Sequence, residues 1–185
     1  MIARVPERFS TARLVAGPMS DDDFEGLRLL HRDPVVMRTL SATGEPLGED
    51  ETRGFIERCR DHWLQHGFGV WTFRLEFSDT FIGYCGLKRT TIEDEACIEL
   101  LYAVRASHWG QGYAGEMAAA VVRLGLDKLG ADSLVSFTLP VNAASRRVME
   151  KQGFVYEKDI VHAGLPHVFL RRRPIPAEAG GVPPA

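Results

Sequence analysis

A short glycine-rich segment, residues 108–115 with the sequence HWGQGYAG, constrains this chain more than any other stretch. It follows an apolar run at residues 98–104 and opens a segment with helical spacing of its apolar residues, at Ala114, Met117, Ala118, Val121, Val122 and Leu124. In a strand, glycine loop and helix arrangement, the first N–H groups of the helix have no internal partner and lie at the positive end of its dipole. This geometry favours phosphate. The segment therefore suggests a site for a pyrophosphate, as in a nucleotide or a coenzyme.

Two better-known phosphate loops fit less well. The pattern G-x-x-x-x-G-K-[ST] does not occur in the sequence. Residues 110–115 match the dinucleotide pattern G-x-G-x-x-G, but that pattern belongs after the first strand of a βαβ unit, with an acidic residue at the end of the next strand. Asp132 has nearly the right spacing but precedes its strand. A glycine-rich turn before a helix is also often only a turn, so the loop alone leaves its ligand open.

Composition narrows the class of protein. The chain has 185 residues, 45% of them hydrophobic, which is enough for one domain with a core, and its net charge of −3 gives no reason to expect nucleic acid as a partner. No apolar run is long enough to span a bilayer, and the N-terminus lacks a secretory pattern. Cys59, Cys85 and Cys97 are odd in number and match no metal-binding spacing. We predict that Cys85 and Cys97, in apolar and strand-like runs, are buried free thiols, and we predict no metal site, no membrane contact and a cytoplasmic location.

The order of predicted elements indicates a single α/β domain over residues 10–173, followed by a flexible tail rich in Pro, Gly and Ala at 174–185. Helices are predicted to start near residues 20 and 34 and to cover 51–65, the segment from the glycine loop to about 130, and 142–152. Strands are predicted at 11–16, 68–77, 81–89, 95–104, 133–139, 155–161 and 167–171.

Three motifs in this order resemble the GNAT superfamily of N-acetyltransferases, and especially the subgroup similar to bacterial enzymes that acetylate ribosomal-protein N-termini. The first is TARL at 11–14 followed by DPVVM at 33–37. The second is IELLY at 98–102 followed by WGQGYA at 109–114, and the third is NAAS at 142–145 followed by EKQGF at 150–154. The resemblance covers roughly residues 10–172. It implies one mixed, mostly antiparallel sheet flanked by helices.

The resemblance also implies acetyl-coenzyme A as co-substrate. The backbone N–H groups that would hold its pyrophosphate are those of Gln111, Gly112, Tyr113, Ala114 and Gly115. The preceding strand would splay from its neighbour and bind the pantetheine arm beside Leu101 and Tyr102, with a main-chain N–H near Leu101 polarising the thioester. Asn142 would cap a helix and hydrogen-bond the coenzyme arm.

Catalytic roles follow from the same resemblance. Glu99 matches the glutamate that acts as general base in many members, although a glutamate on an edge strand is often only exposed. Many members place an acidic tyrosine where this chain has Met149, which cannot donate a proton. Ser145 is the possible substitute, and a thiolate can also leave without an acid. Arg146 or Arg147 would reach the adenosine phosphates.

We therefore predict transfer of an acetyl group to a primary amine by direct attack. The acceptor implied by the resemblance is a protein or peptide N-terminus. Small-molecule amines and a non-catalytic acyl-coenzyme A sensor stay open, as does a nucleotide-dependent enzyme. The protein is expected to be a monomer or a homodimer.

Overall fold

One mixed sheet organises the computed structural model, which describes residues 5–175. Its strands are β1 (Phe9–Ser10), β2 (Leu14–Pro18), β3 (Val70–Leu75), β4 (Phe81–Ile92), β5 (Glu95–Val104), β6 (Leu134–Thr138), β7 (Val155–His162) and β8 (Leu165–Arg172). Their order in the sheet is β1-β2-β3-β4-β5-β6-β8-β7. Only the pairing of β5 with β6 is parallel in this sheet, so the predicted fold class is confirmed.

Five α-helices flank this sheet in the described residues: α1 (Phe24–His31), α2 (Pro34–Leu40), α3 (Glu49–His66), α4 (Tyr113–Arg123) and α5 (Ala143–Lys151). Their ends follow local rules. The Asp33 side chain caps α2 by accepting from the N–H of Val35, with Pro34 in the first turn. Gly67 ends α3 in the left-handed conformation, at φ 70°.

Two predicted boundaries differ from the structure. The strand predicted at 11–16 is β2, and it starts at Leu14 because the N–H of Thr11 bonds to the Leu14 carbonyl at 2.8 Å and closes a turn between β1 and β2. Phe9, in the short strand β1 for which no strand was predicted, packs edge-on against Trp71 at 5.6 Å. The segment after the glycine loop is helical to Lys128, but its last five residues, Leu124–Lys128, form a π-helical turn.

Apolar side chains cover both faces of β5. Leu100 belongs to the cluster that contains Met117 and Val121 of α4. Leu101 and Ala103 belong to the cluster beneath α1, α2 and α3. Because side chains alternate along a strand, Glu99 shares the face of Leu101 and Ala103. The fold thus directs Glu99 towards the side of the sheet that α1, α2 and α3 cover.

Cys59, Cys85 and Cys97 are free and buried, which confirms the prediction for Cys85 and Cys97. Burial raises the pKa of Cys59 to about 12 and also raises that of Cys85, which holds both thiols protonated. Within residues 5–175, no helix combines the length and apolar character that crossing a membrane requires. The predicted tail at 174–185 lies almost entirely outside the described residues.

Candidate functional site

A cavity of about 960 Å³ extends from the glycine loop to the turn between β7 and β8. Its wall combines residues from α2, β4, β5, the glycine loop, β6, α5 and the β7–β8 hairpin. It is therefore built by segments that are distant in sequence, and it passes along the line where β5 and β6 meet.

The strands β5 and β6 separate almost as soon as they meet. They share one register pair, Glu99 with Val135. Beyond it the Leu100 carbonyl accepts a bond from the Ser136 hydroxyl at 2.8 Å, and further along the Val104 carbonyl accepts from the Trp109 ring N–H at 2.7 Å. The opening between the strands exposes a backbone edge of the kind that accepts an extended chain.

These two bonds fix which backbone groups face the opening. Backbone groups of successive residues point to opposite edges of an antiparallel strand. The carbonyls of Leu100 and Val104 face β6, so the N–H and C=O of Tyr102 face the opening as well. Leu101 directs its backbone to β4, opposite Gly86. The amide available to a ligand here is therefore that of Tyr102, whereas the expected donor was the N–H near Leu101.

The glycine loop presents unpaired amides. Gly110 and Gly112 have φ values of 75° and 82°, which favour glycine. Across the described part of the chain, no protein acceptor bonds to the N–H groups of residues 110–115. A Cβ at Gly110 would meet no atom within 4 Å, so the loop faces open space. Gly112, Tyr113, Ala114 and Gly115 line the cavity, whereas Gln111 does not.

Arg13 braces this loop from outside the cavity. Its Nη1 donates to the Gln111 carbonyl at 3.0 Å, and its Nε donates to Glu116 Oε2 at 2.7 Å. Its guanidinium lies 4.3 Å from the ring centre of Tyr113. Burial alone would raise the pKa of Glu116, but hydrogen bonds from Thr11 and Arg13 outweigh it and lower the pKa. The sequence analysis missed this role, since Arg13 appeared only as part of the first family motif.

Glu99 lies in the cavity wall, half-buried and opposite Lys88 of β4. None of the hydrogen bonds or ion pairs found within residues 5–175 involves its carboxyl group. Burial raises the pKa of Glu99 to about 7, against the opposing effect of the Lys88 charge. A carboxyl group that titrates near neutral pH can take a proton and release it again under working conditions.

Tyr102 and Ser145 form a hydroxyl pair in the same wall. The Tyr102 hydroxyl lies 3.0 Å from the Ser145 carbonyl oxygen and 2.9 Å from its Oγ. The N–H of Ser145 donates to Asn142 Oδ1 at 3.1 Å, which caps α5 as predicted and leaves the Asn142 amide NH₂ available. Burial raises the pKa of Tyr102, against the hydrogen bond from Ser145, so the phenol stays protonated. Met149, where many members have tyrosine, is fully buried.

Two histidines on α1 and α3 have structural contacts. His31 is 1% exposed, and its Nδ1 lies 3.1 Å from the Thr52 hydroxyl. Nε2 of His62 accepts from the N–H of Arg89 at 3.0 Å, so its Nδ1 carries the proton and donates to the Phe68 carbonyl at 2.8 Å.

His162 and His167 lie at the other end of the cavity, on the β7–β8 hairpin. Their rings lie 4.7 Å and 5.5 Å from the ring of Phe137. Across residues 5–175, no three metal-binding side chains come together.

The second half of α5 brings basic residues to the cavity. Arg147 lines it and Arg146 does not, which separates the two candidates of the sequence analysis. Lys151, one turn further along, lines it too. The side chain of Gln152 reaches the Gly115 carbonyl at 3.4 Å, so this end of α5 lies beside the glycine loop.

Known proteins share this sequence pattern and this fold. A family model described as an acetyltransferase (GNAT) domain matches residues 13–155. A fungal relative from Aspergillus fumigatus, named FsC-acetyl coenzyme A-N(2)-transacetylase, is 31% identical over 84% of this chain and 68% of its own length. The uncharacterized protein YkkB of Bacillus subtilis is also 31% identical, over 71% of this chain and 75% of its own length.

Solved structures share the fold at lower identity. An acetyltransferase from Agrobacterium tumefaciens superposes with a TM-score of 0.76 at 24% identity, covering 90% of this chain and 94% of its own. RimL, a ribosomal L7/L12 alpha-N-protein acetyltransferase solved with coenzyme A, gives a TM-score of 0.71 at 15% identity, covering 91% of this chain and 97% of its own. The family match over most of the chain, together with the splayed strands and the open glycine loop, shows that the protein is an acetyltransferase of the GNAT family.

Proposed function

We propose that this enzyme moves the acetyl group of acetyl-coenzyme A to a primary amine by direct attack, and that the amine is the α-amine of a protein or peptide N-terminus. One observation carries the proposal: a single cavity joins the unpaired amides of the glycine loop to the carboxyl group of Glu99. A donor held at the loop and an acceptor held near Glu99 would meet beside β5.

The coenzyme is assigned to the loop end of the cavity. The amides of Gly112, Tyr113, Ala114 and Gly115 would hold its pyrophosphate at the start of α4. The pantetheine arm would lie in the opening beside β5, where the amide of Tyr102 and the free NH₂ of Asn142 can donate to it. Arg147 and Lys151 would meet the remaining phosphate charge, because both lie in the wall near the loop.

Glu99 is assigned as the general base. It would take a proton from the incoming ammonium group, so that the neutral nitrogen attacks the thioester carbon, forms the C–N bond and breaks the C–S bond. The Tyr102 amide would donate to the carbonyl oxygen as negative charge develops there. The nitrogen would release its second proton to water. The thiolate would take a proton from Ser145, which Tyr102 orients and which regains a proton from water, or leave unprotonated.

Direct attack agrees with the positions of the thiols. Cys59, Cys85 and Cys97 are buried and none of them lines the cavity, so no acetyl-cysteine intermediate has a nucleophile to form on within residues 5–175.

An α-amine suits the titration of Glu99 better than a lysine side chain does. An α-amine has a pKa of about 7.7–8.0 and a lysine about 10.4. Transfer to a carboxylate with a pKa of about 7 is therefore nearly balanced for an α-amine but opposed by about three pKa units for lysine. This match supports an N-terminal or other α-amine.

A small-molecule amine is the second candidate. The Aspergillus relative is named for transfer to an N(2) position, and it is 31% identical over 84% of this chain. The same catalytic arrangement would serve an α-amine on a small molecule, since only the end of the cavity between α2 and the β7–β8 hairpin would contact the rest of the acceptor.

The test combines binding and turnover. Thermal shift with coenzyme A, NAD and ATP should show stabilisation by coenzyme A, and stabilisation by NAD alone would contradict the assignment. Release of free thiol from acetyl-coenzyme A should then be followed with neutral peptides, small α-amines and alkyl amines. Tight coenzyme binding without thiol release on any amine would instead identify a sensor.

A further inference from the structure

The charges of the cavity wall are strongly asymmetric. Among its described residues, Glu99 is the only carboxylate, while Arg38, Lys88, Arg147 and Lys151 are all permanently charged cations at neutral pH. None of these four lies within 4 Å of a carboxylate belonging to the described residues. The wall therefore carries an excess of positive charge that the protein itself does not balance there.

These cations fall into two groups by their place in the fold. Arg147 and Lys151 lie on α5 beside the glycine loop, where the coenzyme supplies phosphate. Arg38 lies on α2 and Lys88 on β4, which are separate from the glycine loop and α5, and the β7–β8 hairpin adds His162 and His167 to the same wall. The phosphates of the coenzyme at the loop would not balance this second group.

Lys88 lies where an acceptor amine must arrive. It is directly opposite Glu99 in the register of β4 and β5. Burial raises the pKa of Glu99 and lowers that of His162, and the charge of Lys88 acts on both groups as well, so Lys88 is felt by both the proposed base and the hairpin. A polycationic acceptor would bring further positive charge to this wall, which Lys88 and Arg38 oppose.

We propose that the acceptor carries an anionic group, most simply a carboxylate, close to its reactive amine, and that Lys88 and Arg38 bind this group while Glu99 receives the ammonium proton. The assignment rests on the proposed acetyl transfer and adds its substrate class. The carboxylate can come from a free amino acid or from an acidic side chain near a peptide N-terminus. Each source places opposite charges on the acceptor, as Lys88 and Glu99 do on the wall.

The test compares acceptors that differ in the charge beside the amine, with kcat/KM expressed per neutral amine because a neighbouring carboxylate also raises the pKa of the amine. The first pair is alanine and alaninamide, and the second is an amidated tripeptide Ala-Asp-Ala and its counterpart Ala-Asn-Ala; spermidine serves as a polycation. We expect kcat/KM to be about three- to tenfold higher for the anionic member of at least one pair, the size of a partly solvated charge-assisted contact. Which pair responds identifies the source of the carboxylate.

Variants then test the residues. Lys88→Gln and Arg38→Gln should each reduce the ratio of kcat/KM between the charged and neutral members, mainly through KM, and Lys88→Glu should bring the ratio below one. Lys88→Arg should retain it. The ratio is the informative quantity because loss of Lys88 also changes the titration of Glu99, and this affects both members alike. Lys128→Glu, on the exposed end of the π-helical turn, is the matched control.

The outcomes separate the two proposals. Turnover with equal kcat/KM within both pairs, or preference for spermidine, would overturn the anionic acceptor and leave acetyl transfer standing. A preference that persists in Lys88→Glu and Arg38→Gln would assign the anion to other residues and also overturn it. Absence of turnover with every amine, despite coenzyme binding, would overturn the proposed function and this inference with it.

Discussion

Replacement of Glu99 by glutamine tests the chemistry most directly. The substitution keeps the size of the side chain and removes only its ability to accept a proton. Because the Glu99 carboxyl group makes no hydrogen bond or ion pair within residues 5–175, folding and coenzyme affinity should be almost unchanged. Turnover should fall, since general-base catalysis typically contributes about 10²- to 10⁴-fold.

The expected loss depends on pH. At pH 7 only about one tenth of an α-amine with a pKa near 7.9 is neutral. Wild type can use the protonated majority because Glu99, with a pKa of about 7, takes the proton. The Glu99→Gln variant must wait for the neutral fraction and then lose the second ammonium proton to water. We expect kcat/KM of the variant to be lower than that of wild type by about 100-fold or more at pH 7. This difference should become smaller above pH 9, where the amine is neutral.

The assay is the pH profile of kcat/KM for the acceptor, from thiol release at saturating acetyl-coenzyme A. Wild type should show a rising limb near pH 7, where Glu99 loses its proton, whereas Glu99→Gln should rise only at the higher pH where the amine itself becomes neutral. Glu57→Gln, exposed on α3, controls for the loss of a carboxylate. An unchanged profile, or turnover within about threefold of wild type at pH 7, would exclude Glu99 as the base, because even weak general-base catalysis exceeds that factor.

Three further tests, with one or two substitutions each, address separate parts of the site. Arg13→Ala should raise KM for acetyl-coenzyme A about three- to tenfold with a smaller effect on kcat, because the glycine loop loses the hydrogen bond from Arg13 that supports it. The control Arg60→Ala, in an exposed ion pair, should leave KM and kcat unchanged. An equal effect of the two substitutions would contradict the supporting role of Arg13. Tyr102→Phe and Ser145→Ala should each lower kcat about tenfold, with the double variant no worse than either single one; additive losses would show that the two hydroxyls act independently. Burial lowers the pKa of His31 in the folded state from 6.5 to about 4, so His31 binds a proton more readily in the unfolded chain. The free energy of unfolding should therefore fall by about 2 kcal/mol through this group as pH drops from 7 to 5. Urea unfolding of His31→Phe should lack this fall, and a pH dependence identical to that of wild type would contradict the prediction.

The parts of the site that sequence predicted are those whose signals are local. The glycine loop reads directly from Gly110 and Gly112, because the left-handed backbone there favours glycine. Asn142 was recognised as a cap because its side chain bonds a backbone N–H only three residues away. The strand Glu95–Val104 is likewise predicted from its own residues, and its predicted bounds match the structure.

The parts that sequence missed depend on pairs distant along the chain. Arg13 meets Glu116 across 103 residues, and no periodicity links them. No sequence pattern indicated a role for Lys88, and its position opposite Glu99 follows only from the register of β4 and β5. The depth of burial of a side chain also cannot be predicted from neighbouring residues alone. His31 shares the helical spacing of apolar residues, but its bond to Thr52 and its lowered pKa result from the packing of α1 on α3.

The donor position in β5 shows how the same limit affects mechanism. The family motif indicates the strand segment that lies beside the coenzyme. Which of its amides faces the opening depends on which residues of β5 are hydrogen-bonded to β4. The register places Leu101 in a bonded pair with Gly86 and leaves Tyr102 facing outward, beside the hydroxyl of Ser145 to which its own side chain bonds. One residue thus offers its backbone N–H to the opening and its phenol to the Ser145 hydroxyl. Tyr102→Phe removes only the second contribution, so coenzyme affinity should stay while the leaving step slows, and a large loss of affinity would place the phenol in binding instead.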